Sequence, residues 1–359
     1  MPPKQKVTII AECGVNHNGD INLAKKMIDI ACEAGADYVK FQTFKVDALV
    51  KKNTPMAAYQ QKNLNLEKSQ YDMLKSYELK ESDFKLLYDY AQQTQKIQFL
   101  STPFDLESLH LLKSLGLKKV KISSGDLTNG PLLLEAAKAD LSVILSTGMS
   151  SIDDIRTALS ILKWGYEKKA EDPPSLKDIH DYSSNGNFKT LSEKVSLLHC
   201  LSDYPAPPQF INLRAMKNLE TEFSIPIGYS DHSLGTHISV AAVALGAVII
   251  EKHFTLDKKL PGPDHKASLA PDELKKMVFE IRDIEEALGD GIKIPRGNEI
   301  ETAKIVRKSL YAKEAIKKGE IITENKIECL RPESDTSPLK FWDIKGRIAL
   351  KDYKVGDSL

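Results

Sequence analysis

The sequence predicts an α/β fold, a closed parallel (β/α)8 or TIM barrel, followed by a small β-rich domain. Eight short apolar runs of strand length alternate with amphipathic helical patterns up to residue 288. Their apolar cores are nearly continuous, which is typical of parallel strands covered on both faces. A doubly wound open sheet is the alternative, and it ranks second because no predicted strand is followed by a GxGxxG turn.

Each element follows from its pattern and from the residues that start or stop it. Gly35 ends the first helix, and Ser151, Asp153 and Asp154 mark the start of the helix after the fifth strand. The predicted strands are residues 7–13, 38–43, 97–103, 119–124, 142–148, 195–200, 225–231 and 248–254. The predicted helices are residues 21–34, 70–95, 106–115, 132–138, 152–164, 213–222 and 272–288, with an apolar helix between the last two strands.

Two segments interrupt the alternation of predicted strands and helices. Residues 45–69 are polar and have no clear period, and a connection of that length predicts an active-site loop. Residues 167–190 are rich in Pro, Ser, Asn and charge, which predicts a surface excursion.

The composition excludes several classes of protein. The 359 residues contain 50 basic and 50 acidic side chains, so nothing indicates a nucleic-acid-binding or membrane-binding surface. The N-terminus lacks the order of a signal peptide, and the longest apolar run, residues 238–250, is too short to cross a bilayer. Cys13, Cys32, Cys200 and Cys329 show no CxxC spacing, which predicts a reducing, cytoplasmic location.

A change of composition predicts the domain boundaries. Residues 1–289 form the barrel, residues 290–305 are a linker punctuated by Gly and Pro, and residues 306–359 are short alternating segments of a β-rich domain. Because so small a domain buries little apolar surface, we expect it to pack against a barrel, either its own or that of another subunit.

Every predicted barrel strand ends in polar side chains, and in a parallel barrel these ends converge on one face. The set is Glu12; Lys40 and Gln42; Ser101 and Thr102; Lys121, Ser124 and Asp126; Ser146 and Thr147; His199 and Ser202; Ser230, Asp231 and His232; and Glu251 and His253. Burying so many polar groups without a polar ligand would cost about 1–3 kcal/mol for each unsatisfied group. The sequence therefore predicts a binding site at this face.

The residue types in the set indicate an anionic ligand. Lys40 and Lys121 are cations on otherwise apolar strands, and Ser124, Ser146 and Ser230 are neutral donors, which together suit a phosphate and a carboxylate on one small molecule. The alternative is that the two lysines are partners in buried ion pairs with Glu12, Asp126 and Glu251.

His232 and His253 follow adjacent strands, so their imidazoles could share one metal ion with open coordination positions. Such an ion can polarise a carbonyl oxygen, and Asp126 and Asp264 could move protons. The simpler interpretation is that His232 caps a loop and His253 is a buried, hydrogen-bonded histidine.

A set of motifs carries a resemblance to a known family. These are HNGD (17–20), VKFQTF (39–44), STPF (101–104), KISSGD (121–126), ILSTGM (144–149), LLHC (197–200), YPAP (204–207), GYSDH (228–232), EKHFTLD (251–257) and GPDHKAS (262–268). Together they resemble the bacterial sialic acid synthase family, over nearly the whole chain except residues 168–194. Members condense phosphoenolpyruvate (PEP) with an N-acetylhexosamine to give a nonulosonic acid, and the tail resembles their C-terminal SAF (antifreeze-like) domain.

The resemblance implies a role for each matching residue. His232 and His253 would hold a divalent ion, Mn²⁺ or else Mg²⁺ or Co²⁺, that polarises the sugar aldehyde. Asp126 would orient or deprotonate the water that adds to the donor. PEP would be held by Lys40, Lys121, Ser124, Ser146 and Ser230, with Gln42 and Asn65 nearby. Tyr204 and Asp264 would contact the sugar.

The resemblance also implies a homodimer in which the SAF domain of one subunit covers the barrel mouth of the other, so that Arg331 reaches the acyl amide in trans. Three features differ from the family pattern: Asp126 replaces a common Glu, Ser202 replaces a common Asn that helps to bind the donor, and ESDTSP at 333–338 replaces a glycine-rich continuation. HNGD and GPDHKAS favour the legionaminic acid branch of the family.

Three classes of function follow. The first is the metal-dependent condensing transferase, and the second is a metal-independent Schiff-base aldolase or lyase that uses Lys121. The third is a non-catalytic ligand-binding protein.

Overall fold

The computed structural model describes residues 6–56, 61, 69–168, 173–184 and 186–359. The chain divides into two compact units, Met1–Gly289 and Asp290–Leu359. Among the described residues, no helix is both long enough and apolar enough to cross a membrane.

The first unit is built on eight parallel strands. They are β1 (Thr8–Gly14), β2 (Tyr38–Thr43), β3 (Gln98–Pro103), β4 (Lys119–Ile122), β5 (Ser142–Ser146), β6 (Val195–Cys200), β7 (Ile227–Asp231) and β8 (Ile249–His253). They form one sheet in the order β3-β2-β1-β8-β7-β6-β5-β4, and β3 lies against β4. The sheet is therefore a nearly closed barrel, as predicted, and the doubly wound alternative is wrong because the strands follow chain order around it.

Helices follow the strands and cover the barrel. They are α1 (Ile21–Glu33), α2 (Val46–Leu49), α3 (Gln70–Lys75), α4 (Glu81–Asp89), α5 (Leu106–Ser114), α6 (Gly130–Lys138), α7 (Ile152–Lys168), α8 (Leu176–Ser184), α9 (Pro208–Ile211), α10 (Ala215–Phe223), α11 (His237–Ala244) and α12 (Pro271–Ala287). Single helical turns lie at Ser124–Asp126 and Lys189–Leu191, and a π-helix at Tyr90–Gln95. The start of α1 is capped by Asp20, whose carboxylate accepts from the Asn22 N–H at 2.7 Å.

Successive side chains of a strand point to opposite faces of the sheet, so they alternate between the barrel interior and the surrounding helices. Ile10, Ile144 and Ile249 belong to an apolar cluster inside the barrel, whereas outward residues such as Phe41 and Ile250 pack in the main core. The same parity places Lys40 and Gln42 on the inward face of β2, so the polar face of this strand points into the barrel mouth.

Three predicted segments differ from the structure. The predicted helix over 70–95 is α3, α4 and the π-helix, because the Asp83 carboxylate accepts from the Lys80 N–H at 3.0 Å and starts a new helix. The surface excursion contains α8, whose start is held by a 2.8 Å bond from the Ser175 N–H to Asp178. The predicted linker includes part of a helix, Glu299–Val306.

The second unit is small and has its own core. Its helices are α13 (Glu299–Val306) and α14 (Phe341–Ile344), with single turns at Glu324–Lys326 and Pro338–Lys340. Strands β9 (Ser309–Ala312) and β10 (Ile327–Leu330) pair antiparallel, and isolated bridges such as Ile316↔Tyr353 add to them. Leu310, Ala312 and Ile316 are fully buried at the centre of this unit.

Candidate active site

A cavity of about 430 Å³ lies at the carboxyl ends of the barrel strands. Each barrel strand, or the loop directly after it, contributes to its wall, as the sequence predicted. The lining residues are Glu12, Lys40, Gln42, Gln70, Thr102, Phe104, Lys121, Ser123, Ser124, Gly125, Ser146, Met149, Ser202, Tyr204, His232, Glu251 and His253. A volume of this size suits a small metabolite.

Two lysines and two glutamates form one ion-pair network at the floor of the cavity. Lys40 Nζ lies 2.7 Å from Glu12 Oε2 and 3.4 Å from Glu251 Oε2, and Lys121 Nζ lies 3.3 Å from Glu251 Oε1. The alternative of buried ion pairs therefore holds for both lysines, with Glu12 and Glu251 as partners. Both lysines also line the cavity, so the two interpretations are compatible.

The environment shifts the pKa values within this network. Burial raises the pKa of Glu12, and Lys40 opposes that shift only in part. Burial would also raise the pKa of Glu251, but Lys121 and Lys40 outweigh it and hold the pKa below its usual range. Burial would lower the pKa of Lys40, but Glu12 and Glu251 raise it instead. Lys40 is therefore a firmly protonated cation facing the cavity.

Small hydroxyl groups of Ser124, Ser146 and Ser202 form another part of the wall. The backbone N–H of Gly148 donates to Ser124 Oγ at 3.0 Å, and Ser146 Oγ is buried without a hydrogen-bond partner in the described part of the chain. A Cβ on Gly148 would lie 2.3 Å from Ser202 Oγ and 2.8 Å from Ser124 Oγ. Two hydroxyls and the thiol of Cys200, at 2.9 Å, therefore crowd around a position that only glycine fits. We call Ser124, Ser146 and Ser202 the serine corner, and their hydroxyls can donate hydrogen bonds to an anion.

Ser230 contacts the charged groups of the cavity floor, unlike the other serines of the site. Its hydroxyl donates to Glu251 Oε1 at 2.7 Å and lies 3.4 Å from His232 Nε2. Gln42 likewise donates from Nε2 to Glu12 Oε1 at 3.2 Å. Both side chains thus orient the charged groups of the cavity floor.

His232 and His253 lie side by side, with ring centroids 5.7 Å apart. His232 Nδ1 contacts the carbonyl oxygen of Leu201 at 2.7 Å, so this nitrogen donates and Nε2 is left as an acceptor. Tyr204 donates its hydroxyl to that Nε2 at 3.1 Å. Burial lowers the pKa of His232 to about 4 and lowers that of His253 well below its usual value, so both rings are neutral at pH 7.

These rings fit a metal ion in part. Neutral imidazole is the ligating form, and His253 Nδ1 is buried with no hydrogen-bond partner among the described residues. No group of three or more His, Cys, Asp or Glu side chains in the described ranges is placed to hold a metal. Two protein ligands are therefore available, and the remaining positions would fall to substrate and water.

The other predicted site residues lie further away or outside the description. Asp126 is not in the cavity wall; its carboxylate accepts from Ser123 Oγ at 2.6 Å and from Asn129 Nδ2 at 3.1 Å. Asp264 is buried outside the lining set, and burial together with the charge of Glu12 raises its pKa to about 7. Asn65 lies outside the described residues, and Arg331 is exposed in the second unit.

Sequence reasoning missed several wall residues, Gln70, Phe104 and Met149 among them. Thr102 belongs to the predicted set of strand ends, and its hydroxyl accepts from Lys40 Nζ at 3.1 Å. Strand parity selects Thr102 over Ser101, because Thr102 pairs with Gln42 across β2 and β3. Gln70 follows a stretch of sequence without a clear period, so no pattern places it at the mouth.

Comparison with known proteins agrees with this geometry. Residues 27–293 match the NeuB family. The chain is 47% identical to N,N'-diacetyllegionaminic acid synthase from Campylobacter jejuni, over 99% of each chain. It is 44% identical to the enzyme of the same name from Legionella pneumophila, over 98% of this chain and 92% of that one. It also resembles the crystal structure of N-acetylneuraminic acid synthetase from Leptospira borgpetersenii, with a TM-score of 0.66 and 37% identity over 83% of this chain and 90% of that one.

Proposed function

This chain belongs to the NeuB family, and we propose that its barrel mouth joins PEP to an N-acetylmannosamine-type sugar to give a nonulosonic acid with release of phosphate. The chain is thus a transferase-type synthase of sialic or legionaminic acid. The observation that carries the proposal is the cavity itself, whose wall combines two lysines, several serine hydroxyls and two neutral imidazoles. Cations and hydroxyl donors suit the phosphate and carboxylate of PEP, and the imidazoles suit a metal beside the acceptor.

The donor would lie between the lysines and the serine corner. Lys40 and Lys121 would face its phosphate, and Ser124, Ser146 and Ser202 would donate to its oxygens. Glu12 and Glu251 hold the two ammonium groups in place before substrate arrives. The site is preorganised, so little reorganisation accompanies binding.

In the reaction, C3 of PEP attacks the aldehyde carbon of the open-chain sugar, so that a C–C bond forms and the aldehyde oxygen takes up a proton. Water adds to C2 and loses a proton, and the C2–O bond breaks to release inorganic phosphate. His232 and His253 would hold a divalent ion, Mn²⁺ in our proposal, which supplies a Lewis acid for the aldehyde oxygen. The Leu201 carbonyl holds His232 in position through Nδ1. The Tyr204 hydroxyl donates to Nε2, the atom that would bind the ion, so this bond would give way when the ion binds. Asp126 would hold Ser123, which lines the cavity.

Metal binding can be tested without turnover. We expect the metal-free protein to bind Mn²⁺ in a titration, and H232A and H253A to lose that binding while remaining folded. H199A is the matched control, because His199 lies on β6, contacts the Ile211 carbonyl at 2.7 Å and does not line the cavity. Mn²⁺ binding undiminished in H253A would remove the metal role.

The acceptor is proposed to be 2,4-diacetamido-2,4,6-trideoxymannose, as in a legionaminic acid synthase. The two full-length relatives of that name, at 47% and 44% identity, support this choice. A competition against N-acetylmannosamine tests it, because a pocket built for the 4-acetamido group should penalise a sugar that lacks it. A higher kcat/KM for N-acetylmannosamine would assign the chain to the sialic acid branch instead.

The Schiff-base alternative requires Lys121 as a free amine, but its Nζ lies in an ion pair with Glu251. Inactivation by borohydride in the presence of substrate, together with indifference to chelator, would favour that alternative. A non-catalytic binding protein would bind PEP and release no phosphate.

We also propose that the second unit is a SAF domain that covers the barrel mouth of a partner subunit. Trp342, Leu339 and Leu350 are 77%, 87% and 84% exposed, which supports an interface on this unit. Mixing R331A with H253A tests the arrangement. In a mixed dimer that works in trans, one site combines an intact barrel with an intact Arg331, so activity returns. Mixed dimers as inactive as their parents would contradict it.

A further inference from the structure

A buried ion pair lies on the outer face of the barrel, directly behind the two histidines of the mouth. Asp231 Oδ2 and Lys252 Nζ are 2.9 Å apart, and each residue is 1% exposed. Neither residue lines the cavity. The pair is therefore not in contact with a ligand in the mouth.

The register of the sheet relates this pair to the histidines. Asp231 on β7 and Lys252 on β8 are cross-strand partners, and so are Ser230 and Glu251 one step earlier. Because side chains alternate, Ser230 and Glu251 point into the barrel while Asp231 and Lys252 point outward. The residues after Asp231 and Lys252 are His232, directly past the end of β7, and His253, the last residue of β8, and both line the barrel mouth.

The Asp231 carboxylate joins four parts of the fold. It accepts from the Ser233 N–H at 2.8 Å and from Ser233 Oγ at 2.6 Å, in the loop after β7. It also accepts from Ser239 Oγ of α11 at 2.6 Å, and Lys252 Nζ donates back to the Ser233 carbonyl at 2.5 Å. Strand β7, its following loop, helix α11 and strand β8 are thus tied together at the level of the histidines.

Stability alone does not explain such a pair. Replacing a buried ion pair with apolar side chains of similar size is often neutral or stabilising, so its presence indicates a need for fixed geometry. His232 is itself anchored only one residue away, by the bond from Nδ1 to the Leu201 carbonyl. A shift of the β7 end relative to β8 would change the separation of the two ring nitrogens.

We propose that Asp231 and Lys252 are positioning residues, a brace that sets the separation of His232 and His253 from outside the barrel. This proposal rests on the metal role in the proposed function. Removing a group that hydrogen-bonds to a metal-binding histidine commonly lowers metal affinity by about 10- to 100-fold. The brace acts through the strand backbone and not by a bond to either ring, so the lower end of that range is expected. The brace should therefore control metal affinity without touching the metal or the substrates.

The test is the dissociation constant of Mn²⁺ for the metal-free, full-length protein, measured from the electron paramagnetic resonance signal of free Mn²⁺. D231N and K252M should each bind Mn²⁺ about 10-fold more weakly than the wild type. The double variant D231N/K252M should be no weaker than the weaker single variant, because the two residues act as one unit. Melting temperatures measured without metal report the separate effect on stability.

D37N is the matched control. The Asp37 carboxylate also bridges elements, accepting from the Ile9 N–H at 2.8 Å and from Arg282 Nη2 at 2.7 Å, but it lies at the amino ends of the strands. We expect D37N to lose stability and to keep the wild-type Mn²⁺ affinity. S239A, which removes one hydroxyl donor, is the milder variant if D231N and K252M do not fold, and a loss between about 2- and 10-fold is expected.

The outcomes are distinguishable. Wild-type Mn²⁺ affinity in folded D231N, K252M or S239A would overturn the brace and leave the metal role intact. An equal loss of affinity in D37N would also overturn it, because affinity would then follow general stability. A wild-type protein that binds no Mn²⁺ would overturn the metal role and the brace together.

Discussion

Replacing Lys40 by methionine should destabilise the barrel by an amount that depends on pH. Lys40 is 2% exposed and lies between Glu12 and Glu251, at 1% and 2% exposure. Removing one partner of a buried pair typically costs about 3–5 kcal/mol, because a buried charge is left uncompensated. At about 2–4 °C for each kcal/mol, the melting temperature of K40M should fall by about 10 °C at pH 7.5.

The pH dependence follows from Glu12. Burial already raises its pKa, and K40M removes the nearest group that lowers it. A carboxyl whose folded pKa exceeds its unfolded value binds more protons in the native state, so stability rises as pH falls. The deficit of K40M relative to wild type should therefore shrink between pH 7.5 and pH 5.5.

Two variants serve as controls in a thermal melt followed by circular dichroism. The double variant K40M/E12Q removes both charges of the 2.7 Å pair and should recover most of the lost stability. K45M breaks the more exposed pair with Glu81 and should change stability by less than about 1 kcal/mol. A K40M protein that melts with the wild type, or a deficit that grows toward low pH, would refute this account of the cavity floor.

Three further predictions concern the site. Burial and the charge of Glu12 raise the pKa of Asp264 to about 7, so wild-type stability should fall as pH rises from 5 to 8. In melting curves D264N should lose less stability over that pH range. A pH dependence of stability equal to that of the wild type would contradict the raised pKa. G148A places a Cβ 2.3 Å from Ser202 Oγ and should raise the KM for PEP about 10-fold or more, while the circular dichroism spectrum stays that of the wild type. An unchanged KM would mean that the serines around Gly148 do not bind the donor. Y204F frees His232 Nε2 of the 3.1 Å bond from the tyrosine hydroxyl, so it should bind Mn²⁺ at least as tightly as the wild type. A loss as large as that of H232A would mean that the tyrosine is itself required for the metal.

Strand parity made much of this site predictable. Lys40 and Gln42 alternate with apolar residues on β2, so their shared face could be read from the sequence, and the barrel then placed it at the mouth. The choice between ligand binding and ion pairing could not be made in advance. It depends on distances between residues far apart in the chain, such as Lys40 and Glu251.

The start of one helix and the position of Asp126 depend on local hydrogen bonds that cannot be inferred from composition. Helix α8 lies in a polar stretch, and its start depends on the bonds between Ser175 and Asp178. Asp126 was expected at the water, but its carboxylate is engaged by Ser123 and Asn129, three residues to either side. The brace behind the histidines was likewise hidden, because Asp231 and Lys252 look like further polar residues of the mouth until the parity of β7 and β8 is known.

The most direct test of the condensation is to measure inorganic phosphate and nonulosonic acid together, with PEP, 2,4-diacetamido-2,4,6-trideoxymannose and Mn²⁺ as reactants. We expect equal amounts of the two products, no phosphate when the sugar is omitted, and loss of both products with EDTA that excess Mn²⁺ reverses. Phosphate released without the sugar, or product formation undiminished by EDTA, would contradict the account.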